Sequence, residues 1–166
     1  MLLGLISDTH DNLPALDAAL NAFRSRRVTH VLHAGDITTA ATLERLRGWQ
    51  ALAVYGNNDV DRTALAQAAR SAGIELADGW EGALEGTRIA VIHGDNGPRV
   101  KGAIASGRFD LVVTGHSHML RDERNGGTRV INPGALHRAA RYTCASYDPS
   151  EDTLEVIDVK LLIRVR

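Results

Sequence analysis

The chain has 166 residues, enough for one domain that buries its own core without crosslinks or a structural metal. Its 19 basic and 20 acidic side chains leave a formal charge of -1, so no global basic field favours nucleic acid or an anionic membrane as partner. The single cysteine, Cys144, lies in the apolar stretch RYTCASY and reads as a small buried hydrophobe, which fits a reducing, cytoplasmic location.

The first segment, MLLGLISD, reaches an acidic residue at position 8 and lacks the basic region and length of a signal peptide. No run in the chain approaches the roughly 18 apolar residues that span a membrane. Residues 2–6 have the character of a short buried strand. Pro14 then opens a helical pattern in which Leu16, Leu20 and Phe23 recur on one face to about Arg27. Residues 28–32 read as a second strand, 42–46 fall in a second helix, and 51–55 form a third strand. A third helix over 63–71 is stopped by Gly73. This alternation implies a largely parallel sheet covered by helices.

The second half has a shorter rhythm. Residues 80–84 and 87–92 flank Glu85-Gly86 as a hairpin, and 100–106 form a short helix between Pro98 and Gly107 that leads into a strand at 111–114. Residues 119–123 and 128–131 are joined by Asn125-Gly126-Gly127, a strong turn signal, and 142–147 pairs with 153–159 around residues 148–152. The tail, LLIRVR, is apolar enough to continue a strand, cover a sheet edge or support self-association into a homo-oligomer. The expected architecture is α/β: two packed mixed β-sheets flanked by helices, in a single domain over residues 1–166.

Five apolar runs end in polar signatures: SDTHDN at 7–12, HAGD at 33–36, GNND at 56–59, HGDN at 93–96 and GHSH at 115–118. Turn chemistry accounts for any one of them taken alone. As a set, they bring a defined inventory of donors to the carboxyl ends of strands. Asp8 and His10 are two residues apart, which in an extended segment points both to the same side, and His116 and His118 repeat the spacing. With Asp36, Asn57 and His93 they offer two carboxylates, one amide oxygen and four imidazoles, and no thiolate. That exceeds what one tetrahedral ion needs, and the mixed nitrogen and oxygen set suits transition ions better than Mg²⁺ or Ca²⁺. Two divalent ions sharing a carboxylate would use all seven residues. Such a pair, about 3.5–4 Å apart, activates water between the ions for attack at phosphorus. Two dications against Asp8 and Asp36 leave the centre locally positive, so a small phosphate ester is the expected partner.

The ordered segments Asp8-Thr9-His10, Gly35-Asp36, Gly56-Asn57, His93 and Gly115-His116-Ser117-His118 follow the pattern DxH…GD…GN…H…GHxH. Over roughly residues 2–160 the sequence resembles the small bacterial and archaeal phosphodiesterases of the calcineurin-like metallophosphoesterase superfamily. The resemblance implies a two-sheet sandwich with Asp8, His10 and His118 on one metal, Asn57, His93 and His116 on the other, and Asp36 bridging. Asp36, Asn58 and His93 are the implied catalytic groups. Mn²⁺ is the expected ion, with Fe, Ni and Zn suited by the same donors. The expected reaction is phosphodiester hydrolysis by attack of a metal-bridging hydroxide, with monoester hydrolysis as the alternative. Protein-binding scaffolds of this superfamily are the further alternative, but loss of ligands would mark them and all seven positions are filled here. A nucleic-acid-binding domain without chemistry fits poorly, because no Walker or dinucleotide glycine loop and no basic-aromatic stripe is present.

Two departures from the pattern stand out. Where many relatives have GNHE or GNHD, this chain has Gly56-Asn57-Asn58-Asp59. Asn58 can donate a hydrogen bond to a phosphoryl oxygen but is no general acid near pH 7. Asp59 either orients that loop or makes an Asx-turn. Asp95 follows His93-Gly94 and either orients the His93 imidazole or caps the next turn. Arg99, Arg121 and Arg138 are candidates for a phosphate clamp. Asn12 and Asn132 suit either turns or the site rim, His33 can support the ligands, and His30 and His137 have no placement that favours liganding.

Overall fold

The structure, a computed structural model, describes residues 1–163. One sheet has six strands in the order β11-β10-β1-β2-β3-β4: β1 Leu3–Ile6, β2 His30–His33, β3 Gln50–Val54, β4 Glu75–Ala77, β10 Thr143–Asp148 and β11 Thr153–Asp158. The other has five in the order β5-β6-β7-β9-β8: β5 Trp80–Leu84, β6 Thr87–Val91, β7 Leu111–Val113, β8 Leu120–Asn125 and β9 Thr128–Pro133. The helices are α1 Leu13–Arg26, α2 Ala40–Arg45, α3 Arg62–Ala72, α4 Gly97–Ala105 and α5 Val159–Ile163. The two-sheet sandwich with flanking helices is the architecture expected from sequence.

Side-chain alternation along the strands explains the layering. Leu3 and Leu5 of β1, Leu32 of β2 and Val54 of β3 meet Val91, Leu111, Val113 and Ile131 of the second sheet between the sheets. The opposite face of the first sheet presents Ile6, Val31, Ala53 and Cys144 to Leu16, Leu20 and Phe23 of α1 and to Leu43 and Leu65 of α2 and α3. Gly4 makes this close packing feasible, because a Cβ there would lie 2.6 Å from the Phe23 ring. On the outer face of the second sheet, Ala90, Val112 and Val130 pack under Ala103 of α4. Cys144 is fully buried, as read from sequence, and burial pushes its thiol pKa up.

Helix boundaries follow local chemistry. Asn12 caps α1 by accepting from the Ala15 N–H at 3.4 Å, and Arg27 ends it in a left-handed conformation. Asp61 caps α3 through the Ala64 N–H at 3.0 Å, and Gly73 closes that helix at φ 73°. The three-residue edge strand β4 was not expected from sequence, since Glu75–Ala77 holds only one strongly apolar side chain, Leu76, which packs on the helix-side core. At the carboxyl end, residues 159–163 turn into α5 instead of continuing a strand. Val159 is fully buried in the core that α1 also builds, and the Val159 N–H bonds the Tyr142 carbonyl at 2.8 Å. Residues 164–166 of the LLIRVR tail lie outside the described residues.

Strand register assembles the loops. In the parallel β1-β2-β3 run, Ile6 lies opposite His33 and His33 opposite Ala53; in β6-β7-β9, Val91 lies opposite Val113 and Val113 opposite Ile131. All these strands therefore release their carboxyl-terminal loops at one end of the sandwich. Backbone bonds lock the loops together: Asp8 N to Gly35 O and His10 N to Asp36 O, both 3.0 Å, and Gly115 N to His93 O, 2.7 Å.

Candidate metal centre

The seven candidate ligands converge at this end of the sandwich in two groups that meet at Asp36. Ligand atoms of Asp8, His10, Asp36 and His118 all lie within 4.8 Å of one another. On the other side, Asn57 Oδ1 lies 3.0 Å from His93 Nε2 and 2.9 Å from His116 Nδ1. The two Asp36 oxygens divide between the groups: Oδ2 faces His10 Nε2 at 3.4 Å and Oδ1 faces His93 Nε2 at 3.5 Å.

The convergence of Asp8 with His10, and of His116 with His118, does not come from extended backbone. Asp8, His10, Asp36, His116 and His118 have φ of 51°, 40°, 57°, 67° and 56°, so five of the seven sit in the left-handed region. Each such residue costs on the order of 1 kcal/mol, and strain of this kind collects where geometry is held for function. The turns replace strand alternation as the device that aims paired side chains inward.

Fixed hydrogen bonds decide which nitrogen faces the centre. His93 Nδ1 lies 2.8 Å from the Ala34 carbonyl and His118 Nδ1 lies 3.4 Å from the Arg138 carbonyl. A carbonyl only accepts, so each Nδ1 carries the hydrogen and each Nε2 of a neutral ring turns a lone pair inward. His93 Nε2 then faces the oxygens of Asn57 and Asp36, a cluster of donor atoms suited to a shared cation. The His10 Nε2 atom is buried without a hydrogen-bond partner. An orphaned nitrogen beside two buried carboxylates is the second sign that these donors are arranged around cations.

Burial is severe for the carboxylates: Asp8 is 0% exposed and Asp36 1%. Burial raises the Asp8 pKa, against the Ser7 hydroxyl, which donates to Oδ2 at 2.5 Å. Burial also acts to raise Asp36. It is outweighed by the Asn58 backbone N–H at 2.9 Å and side-chain amide at 2.8 Å together with the neighbouring His93 and His10, which carry Asp36 below the usual carboxylate range. Asn58 is thus the donor that holds Asp36. Asp59 is buried and accepts from the Gly56 N–H at 2.6 Å and the Thr38 N–H at 2.7 Å, so it ties the 36–38 loop to the 56–59 loop.

The supporting residues sort clearly. Asn132 donates to the Gly115 carbonyl at 2.7 Å and the Ser117 hydroxyl at 3.1 Å, fixing the loop that carries His116 and His118. Asn12 donates to the Leu136 carbonyl at 2.7 Å besides capping α1. His33 is fully buried; its Nδ1 accepts from the Gly35 N–H at 3.2 Å, and its Nε2 lies 3.1 Å from the Thr9 hydroxyl. Burial lowers its pKa to about 3. Asp95 is exposed and has no side-chain hydrogen bond to His93 among the described residues; the Ala34 carbonyl orients that ring, and Asn96 caps α4. Arg99 bonds the Asp78 carbonyl and Arg121 pairs with Glu123, whereas Arg138 lines a cavity of about 500 Å³ with His10, Thr38, Asn58, His118 and His137. His137, for which no liganding placement was expected, packs its ring 5.3 Å from that of His10. The signal available for it was proximity to Asn132-Pro133-Gly134, a segment read as rim.

The chain is similar in sequence and fold to known phosphoesterases. The chain is 29% identical over 164 residues to phosphodiesterase MJ0936 of Methanocaldococcus jannaschii, covering 96% of this chain and 94% of that protein. A solved structure of an archaeal phosphodiesterase superposes with a TM-score of 0.90 at 27% identity, over 95% of this chain and 99% of that one. The phosphoesterase YfcE of E. coli shares the fold, with a TM-score of 0.70 at 22% identity over 96% of this chain and all of the other. The model of the calcineurin-like phosphoesterase superfamily domain matches residues 1–152, taking in every strand-end loop described above, and the chain belongs to that superfamily.

Proposed function

We propose that the protein is a metal-dependent phosphodiesterase that works with two divalent cations, Mn²⁺ being the ion best suited to its donors. Asp8, His10, Asp36 and His118 would hold one cation; Asp36, Asn57, His93 and His116 would hold the other. The observation that carries the proposal is the division of Asp36, whose two oxygens face different ligand groups while its charge is held by Asn58. When bound, the cations supply activation of water at neutral pH and neutralise charge on the phosphoryl oxygens. The protein's own part is positioning. Asp36 stays ionised because Asn58 donates to both its oxygens. Ala34 and Arg138 carbonyls hold the His93 and His118 rings with Nε2 inward. A carboxamide such as Asn58 is no acid near pH 7 and cannot protonate a leaving group, so esters with good leaving groups are the favoured substrates.

The choice of diesters is supported by the phosphodiesterase to which the chain is 29% identical. The test is turnover of bis(p-nitrophenyl) phosphate beside p-nitrophenyl phosphate, before chelation, after it, and after adding Mn²⁺. The proposal expects diester turnover that chelation removes and Mn²⁺ restores. Hydrolysis insensitive to metal overturns the mechanism, and hydrolysis confined to the monoester overturns the substrate class.

A further inference from the structure

A second cavity, of about 400 Å³, adjoins the one above the candidate ligands; His118 and Arg138 line both. Its chemistry differs from that of the metal centre. Only four large apolar side chains are counted as exposed among the described residues, and two of them, Met119 at 69% and Leu120 at 45%, line this cavity with Ala139 and Ala140.

The polar groups around it are nearly all engaged. The Ser117 hydroxyl accepts from the Met119 N–H at 3.3 Å and from Asn132 at 3.1 Å, and the Thr143 hydroxyl donates to the Pro133 carbonyl at 2.7 Å. Arg141 pairs with Asp158 at 2.8 Å, and the Ala140 carbonyl accepts from Lys160 at 3.3 Å. The exception is Arg138. Its guanidinium has no hydrogen-bond or ion-pair partner among the described residues, and its backbone is held at φ 47°. A free cation thus stands at the boundary between the cavities, with a recess beyond it whose hydroxyls are satisfied and whose other arginine, Arg141, is held through Nε by Asp158.

We propose that this recess binds the second ester arm of the phosphodiester, an uncharged apolar or aromatic group, while the Arg138 guanidinium pairs with the phosphoryl anion. The inference rests on the phosphodiester reading for the identity of the anion. It makes Met119 and Ala139 determinants of which diesters are taken, and Arg138 a binding residue that its carbonyl contact to His118 does not explain. Complementary charge fixes the anion end, and the satisfied lining disfavours a polar arm, which would give up its water for no new partner.

Two phosphinates that cannot be hydrolysed separate this inference from turnover. Binding of diphenylphosphinate and dimethylphosphinate to the Mn²⁺-loaded protein is measured by calorimetry. Diphenylphosphinate is expected to bind at least about tenfold tighter to the wild type, a preference that the apolar recess alone supplies. Ala139→Phe, which fills the recess, should bring the two ligands to within about twofold by weakening the diphenyl one only. Met119→Gln should reduce the preference in the same direction, so a folding defect in one variant leaves the other as the test. Arg138→Gln should weaken both ligands about tenfold, with partial recovery in Arg138→Lys. Equal binding of the two phosphinates to the wild type, or a preference that survives both recess variants, overturns the inference. A preference that behaves as stated in a protein without metal-dependent diester turnover upholds the recess and removes the phosphodiesterase reading instead.

Discussion

His33 should make the fold acid-sensitive by an amount its burial sets. The imidazole is 0% exposed, and its pKa falls from an ordinary 6.5 to about 3 in the folded protein. Between those values the unfolded chain binds a proton that the folded one does not, so stability is full above pH 6.5 and is lost as pH falls toward 3. Each unit costs about 1.4 kcal/mol, or close to 5 kcal/mol over the whole window. The perturbation is His33→Gln, which can still donate and accept but does not titrate. Urea unfolding of wild type and variant, both metal-free, is measured at steps from pH 8 to pH 4. At pH 8 the variant should be the less stable by about 1–3 kcal/mol, for disturbed bonds to Thr9 and Gly35. Below pH 6 the wild type should lose about 1.4 kcal/mol per unit relative to it, and the two should cross. Asp8 and Asp59, whose pKa values burial raises, act with the opposite sign but are common to both proteins. Parallel stability curves across this range would refute the neutral, buried His33.

Other residues make separate demands. Asn132→Ala leaves the Gly115 carbonyl without its donor and should cost about 1–3 kcal/mol in unfolding free energy, with weaker Mn²⁺ binding by calorimetry; unchanged metal affinity would show that the 115–118 loop holds itself. Gly115→Ala places a Cβ against the Ser7 hydroxyl and 2.8 Å from an Asp8 oxygen, and should cost about 1–3 kcal/mol by denaturation, more than an alanine at the open Gly102 position. Asn58→His should raise turnover most for diesters with poor leaving groups while the Asn58 backbone bond to Asp36 persists, and equal effects on good and poor leaving groups would place protonation elsewhere.

The sandwich was legible because its signals are local: apolar runs of strand length, glycine and proline at their ends, and turn residues between hairpins. Elements set by tertiary context were not. β4 is three residues long and exists through pairing with β3, and α5 forms where Val159 enters a core shared with α1. The ligand inventory was likewise readable, since donors recur at strand ends and parallel register brings those ends together. Their aiming was not, because left-handed turns at Asp8, His10, His116 and His118 replaced the extended geometry that spacing suggests. Arg138 was legible only as one of three candidate arginines, and the placement of His137 beside it was missed for a similar reason. They reach the centre through a loop tied to Ser7 and Asn12 by long-range bonds, which no short motif records.

In the proposed mechanism one carboxylate, Asp36, serves two cations. Anomalous diffraction from crystals of the Mn²⁺-loaded protein, with metal content measured on the same sample, tests it most directly. Two peaks per chain about 3.5–4 Å apart, one beside each Asp36 oxygen, are the predicted result. A single fully occupied peak, or two peaks that do not share Asp36, would contradict it.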